Sequence, residues 1–255
     1  MSQFECDVAC GLVPGRVNTT IFGYVAGVTS VSLPVNIWDG NTLRNVGFAN
    51  ETLQVRSDSA NDTAAGTGAR TVVIVGLDAN YAEVVDVVTL NGTTPVPCNF
   101  QFMRRNAFAV FSAGSGRTNA GNIILETTGA ALRDKISAAK GVQRSAHYTV
   151  PAGKTLWIQN FSFTMAKAGG AEATAHISPV IVQPSGVDII ALEATYLRAN
   201  NAFVVPGGFA LTEKQMIHYR VDAVSQDGFD IGFGATGILT DLNSPATKSV
   251  CRHYT

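Results

Sequence analysis

The sequence predicts an all-β protein: an antiparallel β-sandwich of jelly-roll type, made of two β units behind an irregular N-terminal arm. Three observations lead there. Short runs of β-branched and aromatic residues alternate with polar ones at a period of two. Turn residues punctuate them, with 25 glycines and 9 prolines in 255 residues. No stretch carries a convincing amphipathic-helix pattern. A meander of short strands with frequent turns belongs to a sandwich or jelly roll. The expected divisions are an arm over 1–50, a first β unit over 51–128 and a linker over 129–146. A second β-sandwich unit over 147–242 and a polar tail over 243–255 complete the chain.

The arm is the least regular part. Residues 17–28 are interrupted by Gly23 and Gly27 and fit neither the helical nor the strand period. Such a segment cannot bury itself alone. It is expected to pack across the sandwich or onto an adjoining subunit, with Phe22, Trp38 and Phe48 as anchors. An ordinary first strand followed by a loop accounts for it equally well.

In the first unit, strands are expected over 52–57, 70–77, 83–90, 100–111 and 122–127. The centre is a hairpin of residues 72–77 and 83–90, turning at Asp78, Ala79 and Asn80, residue types that suit turns. Valines and isoleucines occupy both faces of that hairpin, so cover on both sides is expected. Along 100–111, Phe100, Phe102, Phe108 and Val110 share a parity, and Arg104-Arg105-Asn106 interrupts it. The interruption suggests a bulge or an exposed middle. The paired arginines read as a solvated patch and as candidate contacts with a partner.

In the linker, Leu132, Ile136 and Ala139 stand at helical spacing among Arg133, Lys135, Lys140 and Arg144, which suggests at most a short helix. Over 155–165, Trp157, Phe161, Phe163 and Met165 are read as one face of a half-buried strand. Residues 175–182 and 188–195 flank a Gln-Pro-Ser-Gly turn. Asp227-Gly228 is expected to join the strands beginning near Ile217 and Phe229 as a hairpin.

The stretches SDSANDTAAGTGARTV (57–72), GLDANY (76–81), VTLNGTT (88–94) and SAGSGRTNAGNI (112–123) form an ordered set. It resembles a family of structural proteins from tailed bacteriophages, with weaker similarity through YTVPAG (148–153). The resemblance implies an all-β virion component. The apolar residues of the arm and the hairpin apolar on both faces point to a homo-oligomer, and the resemblance favours a trimer because jelly-roll virion proteins often surround threefold axes. The implied partners are the major capsid protein or collar and tail proteins. A head-surface decoration or head-fibre role is favoured over a collar, tail or baseplate one, and a glycan-binding host-recognition module is the rival reading.

Little chemistry is legible. The net charge of −1 makes no electrostatic case for nucleic acid or a membrane. The opening MSQFECDVAC has neither a basic start nor a long apolar run, so no signal peptide is expected. GTGAR and GSGRTNAG lack the Lys-Ser/Thr ending of a phosphate loop. Cys6, Cys10, Cys98 and Cys251 read as reduced thiols. His147, His176, His218 and His253 are scattered without metal-ligand spacing. The acid pairs Glu83 and Asp86, Asp188 and Glu193, and Asp227 and Asp230 have nothing to single them out as catalytic. No enzyme, metal or cofactor is expected.

Overall fold

A computed structural model describes residues 7–44, 49–167, 174–190, 195–198 and 202–242. They form four antiparallel sheets. One is ordered β1 (Arg16–Val28), β17 (Phe229–Asp241), β11 (Lys154–Lys167), β15 (Ala202–Leu211). A second runs β10 (His147–Thr149), β16 (Met216–Val224), β12 (Thr174–Val182), β13 (Asp188–Ile190). In it β14 (Thr195–Arg198) also pairs with β12, and β2 (Val35–Asn36) with β16. The third is β6 (Val96–Phe102), β3 (Glu51–Ser57), β8 (Ile123–Thr127), β9 (Leu132–Ile136), and the fourth β5 (Glu83–Thr89), β4 (Ala69–Leu77), β7 (Arg104–Ala113).

Two apolar clusters hold these sheets in pairs. The larger joins Ile21, Val25, Phe161, Phe163 and Phe233 of the first sheet to Ile177, Ile217, Tyr219 and Val221 of the second. Its centre is aromatic, with Phe163 edge-on to Phe161 at 5.6 Å between ring centroids, a favourable arrangement of ring quadrupoles. The smaller cluster joins Leu53, Val55, Phe102, Ile123 and Leu125 to Val72, Ile74, Val88 and Phe108. Among the described residues, none between 38 and 145 enters the larger cluster.

The smaller unit interrupts one strand of the larger. β2 pairs Val35 and Asn36 with Val221 and Arg220, and β10 continues along the same neighbour from His218. Between them Ile37 N–H donates to Tyr219 O, Tyr219 N–H to Ala146 O, and Ala146 N–H to Ile37 O. The chain therefore leaves the strand at Ile37 and rejoins it at Ala146. Gly23 crosses this exit point. A Cβ there would stand 2.5 Å from Ala146 N and 2.7 Å from Ile37 O, so only glycine permits the approach.

Several expectations need correction. Of the two readings of residues 16–28 the ordinary first strand holds and the arm onto a neighbour does not: β1 pairs with β17 over almost its whole length and buries Ile21, Val25 and Val28 in its own subunit. Gly27, at φ +62°, sits at the bulge that disturbed the periodicity. The linker holds a strand, β9, in place of a short helix. A four-residue spacing serves one face of a strand as well as of a helix, and pairing with β8 decides it. The expected strand over 100–111 breaks at Met103, where the chain passes from the sheet of β3 to that of β4. β16 and β17 likewise belong to different sheets, so Asp227-Gly228 is a crossing between layers and no hairpin. The 72–77/83–90 hairpin is present as expected, with Val72 opposite Val88 and Leu77 opposite Glu83.

Candidate functional site

The Asp- and Gly-rich motif folds into a fastening. Asp62 is fully buried, and its carboxylate accepts from Ser57 Oγ at 2.6 Å, Ala69 N at 2.7 Å, Ala120 N at 2.8 Å and Gly121 N at 2.9 Å. Asp58 accepts from both the backbone and the side-chain nitrogen of Asn122. Asn119 donates to Gly121 O and Ser137 O and accepts from Gly141 N–H. The glycines give these carboxylates room: a Cβ on Gly68 or Gly121 would stand 2.1 Å from an Asp62 or Asp58 oxygen. GTGAR and GSGRTNAG are thus loop-to-loop ties.

A second polar cluster lies where the units meet. Arg44 forks onto Asp134 at 2.7 and 3.3 Å, and Arg105 reaches the same carboxylate at 3.5 Å. Glu51 takes a two-pronged contact from Arg133 at 2.6 and 2.7 Å and lies 3.6 Å from Arg105. Burial pushes the Asp134 carboxyl up, but the charges of Arg44 and Arg105 hold it below its ordinary value. His147 bonds Arg105 O through Nε2 and Ser145 Oγ through Nδ1, which makes Nε2 the protonated nitrogen. Burial, helped by Arg44, holds that imidazole down at about 3. Asn106 completes the joint by pairing with both backbone groups of Thr149. A cleft of about 190 Å³ opens beside it, between Ile21, Phe22, Val75, Ala107 and Tyr148.

The third feature is the outer face of the β1-β17-β11-β15 sheet. β11 carries a bulge between Ile158 and Asn160 against both its neighbours. Before the bulge Leu156 and Ile158 point into the core; after it Phe161, Phe163 and Met165 do. Trp157 is therefore on the outside, 48% exposed, and the expectation that it shares the core face of Phe161 is overturned. Beside it a groove of about 500 Å³ is lined by Asn18, Thr20, Gln159, Asn160, Thr236 and Gly237. The switch from even to odd apolar positions across Gln159-Asn160 was the sequence signal of this bulge.

The candidate contact residues separate. Phe22 is exposed at the rim of the junction cleft. Trp38 is 2% exposed, its indole N–H donating to Thr42 O, so it offers no surface to a partner. Arg104 and Arg105 are buried as well, 3% and 1% exposed, so the solvated-patch reading is wrong: Arg105 reaches Asp134 and Glu51 at the joint between units, and Arg104 lies over the Tyr81 ring. Phe48 lies outside the described residues. Of the acids weighed for catalysis, Asp86 accepts from Asn99 N and Nδ2, and Asp230 from Tyr24 Oη and Gly27 N. Asp227 accepts from Ser30 N. Glu193 lies outside the described residues. Burial and the nearby Asp86 push the Cys98 thiol up to about 12, so it stays protonated. Among the described residues no three His, Cys, Asp or Glu side chains gather as metal ligands, and no helix is long and apolar enough to cross a membrane.

No protein-family model matches the chain, and no curated protein does. Among solved structures, the T13 particle of infectious bursal disease virus aligns over 93% of this chain and 74% of its own, at 9% identity and a TM-score of 0.28. The D431N mutant VP2 protein of the same virus, in T=1 particles, aligns over 96% and 77%, at 10% identity and a TM-score of 0.27. Arthrobacter globiformis T6 isomalto-dextranase complexed with panose aligns over 88% and 35%, at 10% identity and a TM-score of 0.25. Scores at this level establish no common fold, and these likenesses carry no functional weight.

Proposed function

We propose that the chain is a non-enzymatic structural component of a virion, and within that class a head-surface protein of a tailed bacteriophage. The strand order of the larger unit carries the reading. Counting the split β2/β10 as one strand, and giving β13 and β14 one position because both pair with β12, the described residues of that unit fill eight strand positions in two layers. Along the chain they stand first-eighth-third-sixth in one layer and second-seventh-fourth-fifth in the other. Such interleaving supports the jelly-roll reading, an architecture of viral capsid domains and also of lectins. The phage assignment rests on the motif resemblance. The motif's acids and amides are engaged in fastening loops, which fits a scaffold better than a catalyst.

Subunit contact is assigned to the outer face of the central hairpin. There Val73 opposes Val87 and Val75 opposes Val85, with Ala109 and Ala107 alongside on β7. Val85 is 56% and Val87 45% exposed in the single chain. A homo-oligomer, trimer favoured, covers this strip, and the major capsid protein or collar and tail proteins are the further partners. The chain is made in the host bacterial cytoplasm and resides in the virion. Cryo-electron microscopy and peptide mass spectrometry of purified particles test this. Stoichiometric copies with density on the head are expected. Density at the collar, tail or baseplate selects that alternative, and absence from particles sinks the proposal.

A further inference from the structure

We infer that the outer face of the β1-β17-β11-β15 sheet is a binding site for a neutral glycan, with Trp157 as its stacking platform. This stands independently of the virion assignment. The cross-strand register sets the site's layout. Asn18, Ile238 and Trp157 form one row across β1, β17 and β11; Thr20, Thr236 and Asn160 form the next. Ile238 is almost fully covered and Trp157 is half open, so the row that borders the groove offers part of an indole to solvent while the next row is wholly polar.

Three properties select the ligand class. A tryptophan face combines a large apolar area with little conformational freedom to lose, and the C–H face of a pyranose ring is its natural complement. The hydroxyl edges of such a ring need short, directional donors and acceptors, and every polar group lining the groove is an amide or a hydroxyl. Thr236 Oγ1 donates to Asn160 Oδ1 at 3.0 Å, which fixes the amide and leaves its two Nδ2 hydrogens as what it offers a ligand. None of the lining side chains is ionisable, so nothing there favours a phosphate, a sulfate or a carboxylate sugar over a neutral one. The volume of about 500 Å³ lies within the range of small-ligand sites.

The bulge makes this site. Without the extra residue at Gln159, the parity of Phe161 would turn Trp157 into the core and bring Ile158 outward. The competing occupant is a second copy of this chain laid on the same face.

The test uses the purified full chain and defined neutral gluco-, galacto- and manno-oligosaccharides, with sialylated and sulfated oligosaccharides as the charged arm. Binding is read by calorimetry and by tryptophan fluorescence, where buried Trp38 supplies a constant background. Saturable binding of at least one neutral series is expected. Trp157→Ala and Asn160→Ala should each weaken it at least tenfold, with an unchanged melting temperature because Trp157 and Asn160 are exposed. Three results overturn the inference: no neutral oligosaccharide binding at millimolar concentration, equal or tighter binding of the charged arm, or binding indifferent to Trp157→Ala. Loss of an oligomer in Trp157→Ala by light scattering, without any glycan binding, assigns the face to a second copy and overturns it too.

Discussion

Asp62 shows how one side chain holds several loops. Its two oxygens accept one hydroxyl and three backbone N–H groups, joining the loop after β3, the start of β4 and the turn before β8. Replacing it with alanine leaves those buried donors unmatched, at about 1–3 kcal/mol for each that water cannot reach. Asp62→Ala is therefore expected to lose at least about 3 kcal/mol in chemical denaturation; a loss under about 1 kcal/mol would mean that solvent already serves the site. His147 makes a different prediction. It is held neutral in the fold, at about 3, against an ordinary value of about 6.5. Its contribution is complete above pH 6.5. Below that the unfolded chain takes up a proton the folded chain refuses, so stability falls by about 1.4 kcal/mol per pH unit. His147→Gln should flatten the dependence between pH 7 and 5. Burial also holds His218 down, at about 4, and it keeps its own share of the slope. An unchanged slope in the variant would show that His147 is not the proton acceptor.

Elements here are decided by what they pair with. β4 and β5 form as their valine content suggests, because the turn at Asp78 is self-contained: its Oδ1 accepts from Asn80 and Ala82 N–H. The cover expected on both faces of that hairpin exists on one only within the subunit. Val72, Ile74 and Val88 are buried, while Val85 and Val87 stay open. Each valine so exposed is worth roughly 1 kcal/mol when a partner covers it. The double change Val85→Asp/Val87→Asp should convert an oligomer to monomer in light scattering, with the β-type circular dichroism spectrum retained. An unaltered mass would place the subunit contact elsewhere. In β7, by contrast, hydropathy misled, because Arg104 and Arg105 are polar residues at buried positions. Arg105 keeps its charge by sharing Asp134 and Glu51, although burial, with Arg44 beside it, lowers its pKa to about 10.

At the scale of the whole molecule, a complete smaller unit interrupts one strand of a larger one. The two ends of the interruption meet, since Ala146 N–H donates to Ile37 O at 2.9 Å. Among the described residues, the larger core also contains none from the inserted part. Replacing residues 38–145 with a short Gly-Ser link should therefore leave a chain with a β-type circular dichroism spectrum and a cooperative melt. A featureless melt would show that the joint around Arg105 and His147 is needed by both units.

The sequence by itself determined the all-β class, the central hairpin, most strand positions and the loop character of the Gly-rich motifs. Each of these follows from local causes: β-branched runs, turn residues and the period of two. It did not determine which strands share a sheet. Register and partner are chosen by contacts far apart in the chain, so residues 16–28 read as an arm although β17 completes them. The face of Trp157 was marked only by the parity switch across Gln159-Asn160, and pairing with β15 and β17 decides it, because a single inserted residue reverses every side chain beyond it. The buried arginines follow the same rule. Arg105 depends on Glu51 and Asp134 and Arg104 lies over the Tyr81 ring, and only the tertiary structure brings those partners to them.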